Sequence, residues 1–98
     1  MQKFIKLHPL DNVQIVVSDI KAGDVLLFKG NKVYFEKSIG IGHKIAEQFI
    51  VNGQKIIKCG VPIGSATADI VAGEHVHLHN MKSDYIPTYT IQQGFKED

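Results

Sequence analysis

Residues Gly73 to Asn80 read GEHVHLHN, which sets His75, His77 and His79 at every second position with Val76 and Leu78 between them. In an extended chain alternate side chains share a face, with successive ones roughly 6.5–7 Å apart. On a helix the same spacing would scatter the rings around the axis. The Val and Leu in between favour extension. The stretch therefore predicts a strand, VHLHN included, with His77 and His79 on one face where they can converge on one metal ion or one substrate.

Working outward, FIKL, VQIVV, DVLLF, KVYF and KIIKCG are likewise short, rich in β-branched and aromatic residues, and separated by Gly, Asn or Asp. Such punctuation predicts an all-β chain of short strands and long turns. LLFKGNKVYF is the clearest hairpin, because Lys29-Gly30-Asn31-Lys32 tolerates positive φ between two apolar runs. GHKIAEQFIVNG alone has a helical look. Its Ile45, Ala46, Phe49 and Ile50 recur at three-to-four-residue spacing before Gly53 ends the pattern, so one short helical turn is allowed there.

A chain of 98 residues supports one core and one domain. Its net charge of +1 comes from eleven lysines, with no arginine, against ten acidic residues. The lack of an Arg fork or a basic stripe argues against nucleic acid. No apolar run approaches the roughly 20 residues that span a bilayer, and no leader pattern is visible, so a cytoplasmic protein is expected. Cys59 is the only cysteine and reads as a structural thiol.

The chain also repeats itself. SDIKAGDVL (Ser18–Leu26) returns as ADIVAGEHV (Ala68–Val76), and FIVNGQKII (Phe49–Ile57) is a weaker third copy. An apolar anchor, a glycine turn and a strand make a structural device, so Asp19, Gly23, Asp69 and Gly73 are read as builders of the fold.

His8, Asp11, Gly42-His43-Lys44, Lys58-x-Gly60, Ile63-Gly64 and Val76-His77-x-His79-Asn80 occur in order from Leu7 to Asn80. In this combination the chain resembles the small N-terminal module of the altronate and galactarate dehydratase family, also found as the small subunit of sulfolactate sulfo-lyase. The resemblance implies a β-clip fold of the SAF type over residues 1–80, followed by a C-terminal extension, 81–98. Cys59 departs from the pattern, which commonly has an aromatic residue there. The implied chemistry is β-elimination from a hydroxy acid: loss of water from a sugar acid, or of sulfite from sulfolactate. Such a reaction needs a base, a metal or donor for the developing charge, and an acid for the leaving group. Histidine, with an unperturbed pKa of about 6.5, suits each job.

On that resemblance His43, His77 and His79 are the candidate catalytic residues, and His77 and His79 the candidate ligands of a divalent metal, Fe²⁺ first, with Mn²⁺ or Mg²⁺ as alternatives. His8, Asp11, Lys44 and Asn80 are the candidate substrate-binding residues. For His8 and Asp11 an equally weighted reading is that they cap and orient the strand beginning near Asn12. His75, at the edge of the motif, reads as ordinary surface.

Sugar-acid carboxylates are commonly clamped by arginine, which is absent, and the few polar candidates cannot surround a six-carbon substrate. A large catalytic subunit is therefore the expected partner. Tyr85, Ile86, Tyr89, Ile91 and Phe95 give the extension an apolar character suited to docking on that partner, on the domain itself or on another copy in a homo-oligomer. Two other classes remain: a stand-alone carbohydrate or small-acid binding module, and a purely structural adaptor.

Overall fold

The computed structural model describes residues 2–85. Nine strands form in this span, all pairings are antiparallel, and there is no helix among the described residues, so none is long and apolar enough to cross a membrane.

Strands β1 (Phe4–Ile5), β2 (Val13–Val16), β5 (Lys44–Ala46) and β8 (His75–Val76) make a four-stranded sheet in the order β1-β2-β5-β8. Hairpin β3–β4 (Val25–Phe28, Asn31–Tyr34) covers one face of this sheet. The other is covered by the three-stranded β6-β7-β9 unit (Lys55–Lys58, Val61–Ala66, Met81–Lys82). The core consequently has two halves. Val16 and Ile45 meet Phe4, Phe28 and Phe35 on the first face. Val13, Ala46 and Val76 meet Ile56, Ala66 and Met81 on the second.

This sandwiching explains the false helical signal. Ile45 and Ala46 are both fully buried because β5 has a core on each face, so neighbours in sequence are apolar without any helical period. Of the other two residues in the pattern, Phe49 is 51% exposed and Ile50 forms a bridge to Ile70.

The repeat is fourfold. Each copy has a buried isoleucine (Ile20, Ile39, Ile50, Ile70), a glycine three residues later at φ between 88° and 94°, and then a strand. The amide that follows each glycine donates back to the residue after the isoleucine, at 2.8–3.3 Å. The isoleucines bridge in pairs, Ile20 with Ile39 and Ile50 with Ile70. Asp19 and Asp69 each accept from a turn amide of the paired copy, Ile41 and Asn52. These residues build the fold, as the sequence suggested, and the copy at Ile39–Lys44 is the one that sequence comparison missed.

Of the expected Lys29-Gly30-Asn31-Lys32 connection, only Lys29-Gly30 forms the turn, with φ of 50° and 83°, and Asn31 already pairs with Phe28 in β4. Cys59-Gly60 repeats it between β6 and β7, with φ of 57° and 76°. Here Asp11, 4% exposed, accepts from Cys59 N at 3.0 Å and Gly60 N at 2.8 Å, while the His8 ring lies over Gly60. Burial works against ionisation of Asp11, but these amides and the nearby His8 outweigh it and hold the carboxyl below its ordinary value. A carboxyl lowered by folding adds stability above its unfolded pKa of about 4 and loses it as pH falls through the folded value. Asp11→Asn, which surrenders the charge and one acceptor, is therefore expected to destabilise the protein by about 1–3 kcal/mol at pH 7. Urea unfolding of both proteins should show this gap shrinking below pH 4. A gap independent of pH would contradict the assigned role of the carboxylate.

The sheet continues past Asn80, where the C-terminal extension was expected to begin. Met81–Lys82 pairs with Ser65–Ala66, Met81 is buried, and Asp84 bonds Ser65 Oγ and Lys55 Nζ. Tyr85 donates from its hydroxyl to the Pro62 carbonyl, which ties the start of that extension to the domain. Ile86, Tyr89, Ile91 and Phe95 lie outside the described residues.

Candidate functional site

Strand β8 ends at Val76, and His77–Asn80 is a turn rather than the extended VHLHN expected from alternation. Asn80 is the cause. It is 3% exposed, accepts from His77 N through Oδ1 at 2.9 Å, and donates through Nδ2 to the His75 carbonyl at 2.8 Å. The Asn80 and Met81 amides both return to the His77 carbonyl. A side chain that bonds its own backbone in this way competes with a sheet ladder and turns the chain. Both ends of the Asn80 amide are thus engaged in holding His75 and His77.

The turn folds the imidazoles together with one from a distant segment. Ile45 of β5 pairs with His75 of β8, so the residue just before β5, His43, is delivered beside them. His43 Nδ1 and His75 Nε2 are 3.0 Å apart. Ring centroids are separated by 5.0 Å for His43–His75, 5.2 Å for His43–His77 and 5.5 Å for His75–His77, the last pair stacked within 8°. One nitrogen from each of these three rings lies within 4.8 Å of the others, a group able to hold a metal ion. Of the expected ligand pair, His77 belongs to this group, beside His43 and His75. His79 stands at its rim, its ring 5.6 Å from that of His75.

His43 occupies a telling place in the repeat. In the other three copies the residue after the glycine uses its side chain to accept from the turn: Asp24 from Lys21 N, Gln54 from Val51 N, Glu74 from Val71 N. In the remaining copy that position is His43, and its ring meets His75 instead.

The electrostatics disfavour the charged forms of His75 and His77. Burial, then the charges of His43, His77, His79 and Lys44, push the His75 pKa down to about 4. Burial followed by His43, Lys44 and His79 also lowers His77. Neutral rings keep a lone pair free for a ligand bond near neutral pH. Lys44 pairs with Val76 and so points from the opposite face of β5, yet its charge reaches both histidines. Its own pKa is lowered by burial and by Lys58.

His8 and Asp11 do not join the group. They sit at the β6–β7 turn beyond Val13, which pairs with Ala46, whereas His43 is opposite Val16 at the other end of the β2–β5 ladder. Asp11 holds the Cys59-Gly60 turn between β6 and β7, and the His8 ring accepts from Leu10 N, so neither caps the strand near Asn12 in the way expected. His75 was missed because it was judged by its place in a sequence motif. The available signal was the register that sets it against β5, next to His43.

Residues 2–84 match the family model described as the altronate/galactarate dehydratase SAF domain. The altronate dehydratase of Bacillus subtilis is 41% identical over 100 residues, covering all of this chain and 20% of that protein. The altronate dehydratase of Escherichia coli is 37% identical over 97 residues, 97% of this chain and 20% of that protein. The (2R)-sulfolactate sulfo-lyase subunit alpha of Chromohalobacter salexigens is 36% identical over 75 residues, 70% of this chain and 80% of that subunit. The chain thus spans about a fifth of the length of the altronate dehydratases it matches.

Proposed function

Since the chain belongs to the altronate/galactarate dehydratase SAF-domain family, we propose that it contributes the histidine face of a sugar-acid hydro-lyase active site that a larger catalytic polypeptide completes. The observation that carries this reading is the convergence of His43, His75 and His77 to within 4.8 Å.

The donor set fits a divalent first-row transition metal. Two imidazole nitrogens 3.0 Å apart match the edge of an octahedron with metal–nitrogen bonds of about 2.1 Å. All-nitrogen donors suit Fe²⁺ better than Mn²⁺, and least suit Mg²⁺, which prefers oxygen. His43, His75 and His77 would hold the ion, which when bound supplies Lewis-acid polarisation of a substrate oxygen.

The chain's own residues supply the rest. His79, exposed at the rim, is placed to take or give a proton during elimination. Lys44, on the opposite face of β5, stays outside this group, while Asn80 fixes His75 in β8 and His77 in the turn after it. Three histidines leave the remaining coordination positions and most of the substrate without partners, which is the argument for a second polypeptide.

A second reading, the small subunit of a sulfolactate sulfo-lyase, is favoured by the match over 80% of such a subunit. Either way the purified chain is expected to be inactive by itself and to gain lyase activity when mixed with a large catalytic chain and Fe²⁺. Assay of altronate, galactarate and sulfolactate with each component alone and with both is the test. Metal-supplemented turnover by the 98-residue chain alone would overturn the shared-site reading.

A further inference from the structure

Hairpin β3–β4 pairs only with itself, which leaves the outer edge of β3 open. In a two-residue hairpin the residues flanking the turn, here Phe28 and Asn31, form a hydrogen-bonded pair, and such pairs alternate along the ladder. Leu26–Val33 is the next, and in the one after it Phe35 N donates to the Asp24 carbonyl at 2.9 Å. Val25 and Leu27 consequently turn their N–H and C=O groups away from β4, and no donor or acceptor among the described residues meets them there. Beyond this edge a groove of about 410 Å³ separates β3 from β1. β1 is in the same condition. Val16, opposite Phe4, bonds His43 and Gly42 through its own N–H and C=O, so the Phe4 peptide groups point away from β2, on the groove side. Gln2 Nε2 donates to the Phe4 carbonyl at 2.6 Å, in the place that a neighbouring strand's amide would take.

The groove is lined as the seat of a strand would be. Its floor is Phe4 and Phe28, 8% and 4% exposed and edge to face at 5.2 Å, with Leu26 beside them. Val25 and Leu27, 56% and 69% exposed, stand along its margin. An open apolar edge of this kind is a template for another strand. The chain carries a segment that fits it. After Pro87, which has no N–H to give, Thr88-Tyr89-Thr90-Ile91 alternates hydroxyl-bearing and larger apolar side chains, every one β-branched or aromatic. Residues 86–98 extend to about 43 Å, against a greatest dimension of 41 Å for the described chain, so the segment has the length to reach the groove from Tyr85, which is tied at Pro62. Lys3 and Lys29 border the groove and no acidic residue lines it, and Glu97-Asp98 lie just past Phe95. We propose that residues 88–95 of the chain's own C-terminal segment lie in this groove as an added strand, pairing with Val25 and Leu27 and seating Tyr89 and Ile91 on the floor of Phe4 and Phe28.

The test is amide hydrogen exchange of the full chain, followed by ¹H–¹⁵N NMR over a range of protein concentrations. The amides of Val25 and Leu27 are expected to exchange at least about 100-fold more slowly than in an unstructured chain, at every concentration. Tyr89→Ser combined with Ile91→Ser should remove that protection, while Leu26 and Phe28, bonded to β4, keep theirs and so report that the hairpin is intact. Nuclear Overhauser contacts from the Tyr89 ring to Phe4 and Phe28 should accompany the protection. Rapid exchange of Val25 and Leu27 in the unsubstituted chain would overturn the proposal, and so would protection that the double substitution leaves in place. Protection that appears only as the chain dimerises would put a second copy in the groove, and protection that appears only when a larger polypeptide is added would put that polypeptide there; either result overturns the assignment to the chain's own segment.

Discussion

A chain carrying His75→Ala is expected to lose divalent-metal binding and to lower turnover of the assembled lyase by about 10²- to 10⁴-fold. The size of the effect follows from where the ring sits. It is the only one of the three whose ring contacts both of the others and His79, and burial and its neighbours push its pKa down to about 4. Removing it leaves His43 and His77, with ring centroids 5.2 Å apart, as two of the three members of the group. The fold should survive, because the ring belongs to neither apolar core, and an unchanged melting temperature would separate lost chemistry from lost structure. His79→Ala serves as the contrast: it should keep the metal while losing rate, as expected of a proton-transfer group outside the coordinating set. Equal metal affinity in the wild-type and His75→Ala chains would show that the cluster is not a ligand set.

The largest expected effect on stability comes from Gly64→Val. A Cβ at this position would run into the Lys82 carbonyl and come within 2.9 Å of the Met81 side chain. Backbone cannot yield there without releasing β9 from β7, and with it the burial of Met81. The loss should be about 3 kcal/mol or more, a fall in Tm of roughly 12–24 °C for a domain of this size. Gly53→Ala is the comparison. No atom lies within 4 Å of its would-be Cβ, so only the positive φ resists, at a cost of about 1–2 kcal/mol. Comparable losses at the two positions, measured by urea unfolding, would contradict the assignment of close packing to Gly64 and of open space to Gly53.

Much of this architecture is legible in the sequence because its signals are local. Lys29-Gly30 announces its own turn, and the apolar runs announce their strands. What is not legible depends on partners. β5 imitates a helix because its two faces are buried by different hairpins, a fact visible only once both hairpins are in place. The extension of VHLHN fails because Asn80 turns back on His75 and His77, and a period-two pattern cannot register a side chain that hydrogen-bonds its own backbone. The site was half visible for the same reason. His43 and His77 stood out by their motifs, but that His75 is the hub follows from the β5–β8 register. The acidic and amide residues that follow the other repeat glycines show in hindsight that His43 is the exception in its series.

The claim that His43, His75 and His77 form one metal-binding group is tested most directly by a crystal of the chain grown with Co²⁺ at neutral pH and measured at the cobalt absorption edge. One anomalous peak is expected, with a nitrogen from each of His43, His75 and His77 at about 2.0–2.2 Å. A peak bound by His77 and His79 without His43, or no peak near these rings at saturating Co²⁺, would contradict it.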